Sequence, residues 1–248
     1  MATSISFDRQ GLLFDMDGTL VDSTEGVLGA WASFLKTYSY LDLDDILRSS
    51  HGVRTEDNLR KYLPDLPEDQ IPLEAARFEL EIVLTAERTA AATGQSPISP
   101  CEGVASNIIP LLYPQELVKE TWAVCTSAAR TYASKALALA KIPVPTAFVT
   151  ADDIKNGKPA PDPYLLGAQL LGLEASKCVV FEDAPAGIIS GRAGGCTVIA
   201  VLTTHDREAV LAAGPTYILE TLLEVKLERI EEGWRITLPS SSMVDPRE

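Results

Sequence analysis

A chain of 248 residues, 46% of them hydrophobic, has enough apolar material for one large domain or two modest ones. Its 21 Lys and Arg stand against 35 Asp and Glu, a formal charge of -14 with no basic block, which excludes sequence-independent nucleic-acid binding, a function that needs a basic footprint. The longest apolar runs, around Val179–Phe181 and Thr197–Leu202, fall far short of the ~20 residues of a membrane helix.

The start Met1-Ala2-Thr3-Ser4-Ile5-Ser6 lacks the basic and apolar regions of a secretory signal, so the expected address is the cytoplasm. The first predicted element is a short buried strand, Leu12-Leu13-Phe14, broken by Gly18-Thr19, which leaves Asp15 and Asp17 at its carboxyl end. In extended backbone residues two apart share a face, so the two carboxylates can converge on one reacting group or one cation. A calcium loop would need glycine at its sixth position and an acid at its twelfth, where this chain has Leu20 and Gly26. A plain surface turn of Asp and Gly remains open on these residues alone.

After Leu20 the pattern turns helical up to about Thr93. Val27, Leu28, Trp31, Phe34 and Leu35 recur at helical spacing, as do Leu80, Val83 and Leu84, with further helices over Leu41–Leu47 and Thr55–Leu63 and a new one opening at Glu68-Asp69. This stretch reads as a small helical bundle inserted after the first strand. From Pro97 onward strands and helices alternate. Strands are expected at Trp122–Cys125, Thr146–Val149, Cys178–Phe181, Val198–Leu202 and Tyr217–Leu219, and helices near Val104–Leu112, Ala128–Ala140, Tyr164–Leu171, Ala184–Ala193 and Glu208–Ala213. The fold class is α/β, a Rossmann-like parallel sheet with helices on both faces. A late hairpin is expected in Val225–Leu238 around Glu231-Glu232-Gly233, and Pro239–Glu248 reads as a disordered tail. The scattered Cys101, Cys125, Cys178 and Cys196 read as buried free thiols, and with His51 and His205 as the only histidines a zinc site is disfavoured.

Three later strands end in polar groups as the first does. Trp122–Cys125 runs into Thr126-Ser127, where a hydroxyl and the amides opening a helix can hold an anion, or simply cap that helix. Beyond Thr146–Val149, prolines stiffen the loop Asn156-Gly157-Lys158-Pro159-Ala160-Pro161-Asp162-Pro163 around one lysine, a point charge suited to phosphate. Val179–Phe181 runs into Glu182-Asp183, adjacent acids that are costly to bury unpaired and that magnesium would explain. A hydroxyl, a lysine, amides and a hard cation are what a phosphoryl group needs for charge neutralisation, and an aspartate can attack phosphorus. No G-x-x-x-x-G-K-[ST] loop is present, so this is not a P-loop nucleotide site.

Asp15-Met16-Asp17-Gly18-Thr19, Thr126-Ser127, Lys158 within Gly-Lys-Pro-Ala-Pro-Asp-Pro, and Glu182-Asp183 occur in the order found in the haloacid dehalogenase-like phosphatases, which the chain resembles over nearly its whole length, in the branch with a helical cap. The resemblance implies a discontinuous catalytic core of residues 1–22 and 98–248 and a cap of residues 23–97. It implies Asp15 as nucleophile and magnesium ligand, Asp17 as general acid and base with its carbonyl on the metal, and Thr126, the Ser127 amide and Lys158 on the phosphoryl oxygens. Asp183, with Glu182 directly or through water, would complete the Mg2+ site. The cap string Ser50-His51-Gly52-Val53-Arg54-Thr55 and the run Val-Val-Phe-Glu-Asp-Ala-Pro-Ala-Gly-Ile resemble the fungal glycerol-1-phosphatase and 2-deoxyglucose-6-phosphatase group, with His51 and Arg54 as the residues expected to reach substrate, though both also suit a cap surface. The expected activity is hydrolysis of a small sugar or polyol phosphate through an aspartyl phosphate, with a small-molecule phosphate ester as sole partner and a capped core able to work as a monomer. A β-phosphoglucomutase-like mutase shares these motifs. A non-catalytic phosphate-binding protein is the other alternative.

Overall fold

The computed structural model describes residues 3–112 and 120–244, without the side chains of residues 48 and 49. Its elements run β1 (Ser4–Arg9), β2 (Gly11–Phe14), β3 (Val21–Asp22), α1 (Thr24–Leu35), α2 (Leu43–Ser49), α3 (Thr55–Tyr62), α4 (Ile71–Thr93), β4 (Ser99–Pro100) and α5 (Ile109–Leu112). Then follow β5 (Trp122–Cys125), α6 (Arg130–Leu139), β6 (Ala147–Val149), α7 (Asp162–Leu170), β7 (Cys178–Glu182), α8 (Pro185–Ala193), β8 (Thr197–Val201), α9 (Arg207–Ala213), β9 (Tyr217–Leu219), β10 (Lys226–Ile230) and β11 (Gly233–Pro239).

The expected α/β class holds. Six parallel strands lie in the order β6-β5-β2-β7-β8-β9, with Phe14 paired to Val124 on one side and Phe181 on the other. Strand alternation splits the core into two layers. Leu12, Phe14, Trp122, Val124, Val179 and Phe181 face one way, with Phe14 stacked on Phe181 at 4.7 Å, while Leu13, Ala123, Cys125 and Val180 face α7 and α8 through Tyr164, Ala168 and Ile188. The chain builds outward from β2 to β5 and β6, then crosses back to add β7 on the opposite side. The carboxyl end of β2 is therefore the topological switch point, where open α/β sheets bind ligands.

Four helices occupy the span between β3 and β4, two short strands that pair antiparallel through Val21–Pro100 and Asp22–Ser99. α1 packs on α4 around Trp31, Phe34 and Phe78, with the Trp31 and Phe78 rings 4.5 Å apart. The Asp42 side chain accepts a hydrogen bond from the Asp45 amide at 3.1 Å and starts α2, which begins two residues later than hydrophobic spacing alone suggests.

Two expectations are corrected. Ser4–Arg9, assigned no structure from sequence, is a strand: its half-exposed alternation carries little hydrophobic signal, and pairing with β11 supplies the missing stabilisation in a β1-β11-β10 sheet. The tail is structured as far as described, because Ser240–Ser242 forms a turn with Ser242 buried, and Met243 bridges Tyr217. Residues 245–248 of that expected disordered tail lie outside the described residues. The hairpin around Glu231-Glu232-Gly233 forms as β10 and β11, and all four cysteines are buried and free.

Trp234 is fully buried at the centre of this second sheet and donates its indole N–H to Thr121 Oγ1 at 2.9 Å. Trp234→Ala removes both packing and that bond and should destabilise the protein by about 3–5 kcal/mol in urea unfolding, whereas a loose appendage would lose less than about 1 kcal/mol.

Candidate active site

Backbone geometry places the first acids. Leu12–Phe14 is held between two strands, and the Asp15 amide still donates to Phe181 O at 3.0 Å, so Asp15 emerges at a fixed point on the sheet edge. Gly18 then turns the chain with φ of 91°, a conformation that strains any residue with a Cβ, and a Cβ there would also collide with Asp183. Thr203 donates to Gly18 O, tying this turn to the loop after β8.

Lys158 is fully buried and sits between two carboxylates: its Nζ donates to Asp15 Oδ1 at 2.5 Å and to Glu182 Oε1 at 2.7 Å. Burial opposes its charge, but Asp15 and Glu182 outweigh that and hold the ammonium above its ordinary pKa. Glu182 is saturated by protein donors. Tyr164 OH joins Lys158 on Oε1, and the amides of Asp183 and Ala184 donate to Oε2 at 2.9 and 3.0 Å, which takes all four lone-pair positions. Asp183 accepts from Thr19 Oγ1 at 3.2 Å and from Thr204 Oγ1. Oxygens of Asp15, Glu182 and Asp183 lie within 4.8 Å of one another.

Three buried carboxylates against one lysine leave negative charge in a dry place. Burial pushes the Asp15 carboxyl up to about 7 against the pull of Lys158, and pushes Asp183 well up too, with Asp15 adding repulsion. Asp17 points elsewhere: its Oδ1 accepts from Ser23 Oγ at 2.6 Å and Tyr132 OH at 2.8 Å, and burial raises its pKa against those two bonds.

A cavity of about 80 Å³ lies over these groups, with Asp15, Asp17, Thr126 and Ser127 on one side and Trp31, His51, Phe78 and Glu79 on the other. Thr126 Oγ1 accepts from the Ala128 amide at 3.1 Å, and among the described residues no acceptor takes its own proton. Among the described residues three hydrogen bonds near the cavity and its adjoining cleft join the helical segment to the sheet: Ser127 Oγ to Gly52 O at 2.8 Å, the Ala129 amide to Glu79 Oε1 at 3.1 Å, and Arg54 Nη1 to Lys155 O at 3.1 Å.

The structure thus brings Asp15, Asp17, Thr126, Ser127, Lys158, Glu182, Asp183 and His51 together. It does not bring in Arg54. That guanidinium is taken by Asp57 at 2.8 Å and by Lys155 O, and it lines an adjoining outer cleft of about 490 Å³ that shares Thr55, Glu79, Ser127 and Tyr132 with the cavity. Sequence reasoning missed Glu79, Tyr132 and Thr203-Thr204. Glu79 had a signal, as the acid inside the buried stripe Ala75, Phe78, Ile82, Ala86 of α4. Thr203-Thr204 follow the apolar run of β8 just as Thr126-Ser127 follow that of β5, a repetition written in the amino-acid order alone.

A doubly wound sheet with a lysine-anchored carboxylate and a cavity at its switch point defines an α/β enzyme that handles an anionic centre. The sequence matches the family model of the haloacid dehalogenase-like hydrolases over residues 10–195, and the chain belongs to that family. It is similar to glycerol-1-phosphate phosphohydrolase 1 of Saccharomyces cerevisiae, 36% identical over 87% of this chain and 84% of that protein. It is 40% identical to hexitol phosphatase A of Escherichia coli over 79% of this chain and 85% of that one. It is 30% identical to the yeast 2-deoxyglucose-6-phosphate phosphatase 1 over 92% and 94%. The chain is a hydrolase that groups with the phosphatases of its family.

Burial also pushes the Glu79 carboxyl up to about 7, against hydrogen bonds from the Ala129 amide and Thr55 Oγ1. Between its ordinary pKa and this one the folded state holds a proton that the unfolded chain has released, so this group's contribution to stability falls as pH rises through that window. Glu79→Gln cannot ionise. Its stability relative to the parent should therefore climb between pH 5 and 8, by up to roughly 3 kcal/mol, in urea titrations at successive pH values. A constant difference would mean Glu79 titrates normally.

Proposed function

We propose that the protein hydrolyses small polyol or sugar phosphate monoesters with Mg2+ through an aspartyl phosphate, and that it does so as a core of residues 1–22 and 98–248 under a helical cap of residues 23–97. The observation that carries this reading is Asp15: buried on the cavity floor, bonded to Lys158, with Asp183 and Asp17 beside it. The yeast and Escherichia coli relatives, named for glycerol phosphate and hexitol phosphate, support the substrate class.

The donor set fits a hard divalent cation, because every group is a carboxylate oxygen and the buried charge exceeds what Lys158 neutralises. Asp15 and Asp183 would hold it with the Asp17 carbonyl, while Glu182, saturated by protein donors, fixes Lys158 in place. When bound, the ion supplies charge neutralisation at the phosphoryl oxygens.

The remaining chemistry belongs to this chain. Lys158, the Thr126 hydroxyl and the Ser127 amide hold the phosphoryl oxygens. An Asp15 oxygen forms a bond to phosphorus in line with the departing alkoxide, and as that P–O bond breaks Asp17 gives the alkoxide its proton. The raised pKa of Asp17 suits this role. Asp17, now ionised, takes a proton from water as the water oxygen attacks phosphorus, releasing phosphate and restoring Asp15. The apolar wall of Trp31 and Phe78 excludes bulk water during these steps.

A mutase would transfer the phosphoryl group to a sugar already carrying one, and so needs a cationic anchor for the second phosphate. The acidic or basic side chains around this cavity, His51 apart, are Asp15, Asp17 and Glu79, which supports hydrolysis.

Asp15→Asn should reduce phosphate release by at least about 1,000-fold with an unchanged circular dichroism spectrum. Release from glycerol 1-phosphate, sorbitol 6-phosphate, mannitol 1-phosphate or 2-deoxyglucose 6-phosphate should require magnesium and stop with EDTA. Conversion of β-glucose 1-phosphate to glucose 6-phosphate without net release would establish the mutase instead.

A further inference from the structure

Glu79 is an acid where the fold has little reason to keep one. It lies 6% exposed on α4, among apolar neighbours, and forms no ion pair among the described residues. Both hydrogen bonds it receives fall on one oxygen: Thr55 Oγ1 and the Ala129 amide donate to Oε1 at 3.0 and 3.1 Å. These two donors come from α3 on one side and from the residue preceding α6 on the other, so they fix the carboxyl group at the seam between helical segment and sheet. Oε2 receives no donor among the described residues, and the group lines the cavity opposite Asp15 and Asp17. Among the described residues no side-chain oxygen is both buried and without a partner, so Oε2 is open to the cavity, where a donor from a ligand would complete its hydrogen bonding.

The geometry points to Glu79 as the specificity residue that accepts a hydrogen bond from a hydroxyl of the alcohol half of the substrate. The inference rests on the phosphatase reading and narrows its substrate class. Asp15, Thr126 and Lys158 engage the phosphoryl end, and Asp17 the bridging oxygen. The carbon chain lies toward Trp31, Phe78 and Ile82, which offer van der Waals contact to C–H groups and no partner to hydroxyls. Ser50, His51, Thr55 and Asn58 line the same cavity, and Glu79 is the one carboxylate among these helical-segment groups, the strongest acceptor for a hydroxyl. Above about pH 7, where the carboxyl is ionised, its charge also repels a carboxylate or a second phosphate on the same carbon chain. The substrate class is therefore the monophosphate of a neutral polyhydroxy alcohol, with phosphoglycolate-type and bisphosphorylated compounds rejected.

The test compares kcat/KM for glycerol 1-phosphate and for propyl phosphate, the same ester without hydroxyls, in the magnesium-loaded full chain. The parent should prefer glycerol 1-phosphate by about 100-fold or more, since a site built to pair a hydroxyl leaves its own group unpaired with the analogue. Glu79→Gln keeps an acceptor for Thr55 and Ala129 but turns an amide toward the cavity, and should shrink that preference at least tenfold, chiefly through KM. Glu79→Leu should abolish the preference, and Thr55→Val, which frees Oε1, should weaken it. Turnover of 2-phosphoglycolate relative to propyl phosphate should rise in Glu79→Gln. Equal proportional losses on both esters, or an unchanged ratio, would overturn the inference and leave the phosphatase reading standing. A parent that releases phosphate from no ester would end both.

Discussion

The molecule is arranged around a lysine buried between two carboxylates. Lys158 and Asp15 meet at 2.5 Å although 143 residues separate them, and the ammonium has no water to fall back on. Desolvating such a group costs several kcal/mol unless every partner is in place, so the surrounding structure must supply them. Glu182 is pinned by two backbone amides and Tyr164 for that purpose, and the proline-rich loop 156–163 presents the lysine at a fixed height. Removing any one partner would strand a charge. The same arrangement that is costly for stability holds the Asp15 carboxylate in one orientation, which is what the proposed in-line attack on phosphorus would require.

Much of this was legible in the sequence because the parallel sheet writes its own pattern. Buried strands such as Val179-Val180-Phe181 are short apolar runs, and a charged residue directly after one has nowhere to go but the sheet edge. That rule found Asp15 and Glu182-Asp183, polar Thr126 follows its strand in the same way, Lys158 stood out by its proline-stiffened loop, and the structure gathers all of them at one end of the sheet. It failed where burial comes from tertiary pairing. The β1 strand reads as polar alternation and is stable only because β11 lies beside it. Arg54, expected from within the string Ser50–Thr55 to reach substrate, is paired here with Asp57 one helical turn later in the chain. Glu79 was passed over because a helix-period reading looks for apolar matches and treats an interruption as noise, although a buried acid in such a stripe is the informative residue.

The contact between helical segment and sheet combines polar bonds with apolar packing, since Trp31, Phe78 and Ile82 belong to the same buried cluster as Phe14, Val124 and Tyr132. Three hydrogen bonds span it near the cavity, two of them through residues that also line the cavity, Ser127 and Glu79. Gly52, with φ of 75°, turns its carbonyl toward Ser127, and a Cβ there would meet Ala184.

The β1-β11-β10 sheet has a bearing on how the chain reaches this state. Ser6 and Thr237 share a hydrogen bond across 231 positions, and β2, the strand that follows β1 in the chain, sits in the middle of the parallel sheet with neighbours that come more than a hundred residues later. A ribosome therefore delivers the central strand long before the strands that flank it. Helices α1–α4 have local contacts and an aromatic centre of their own, so they are equipped to organise first, while Leu12-Leu13-Phe14 waits as an exposed sticky run. High contact order of this kind makes folding slow and late, and the interval before β7 and β11 emerge is when the nascent chain is most exposed to aggregation.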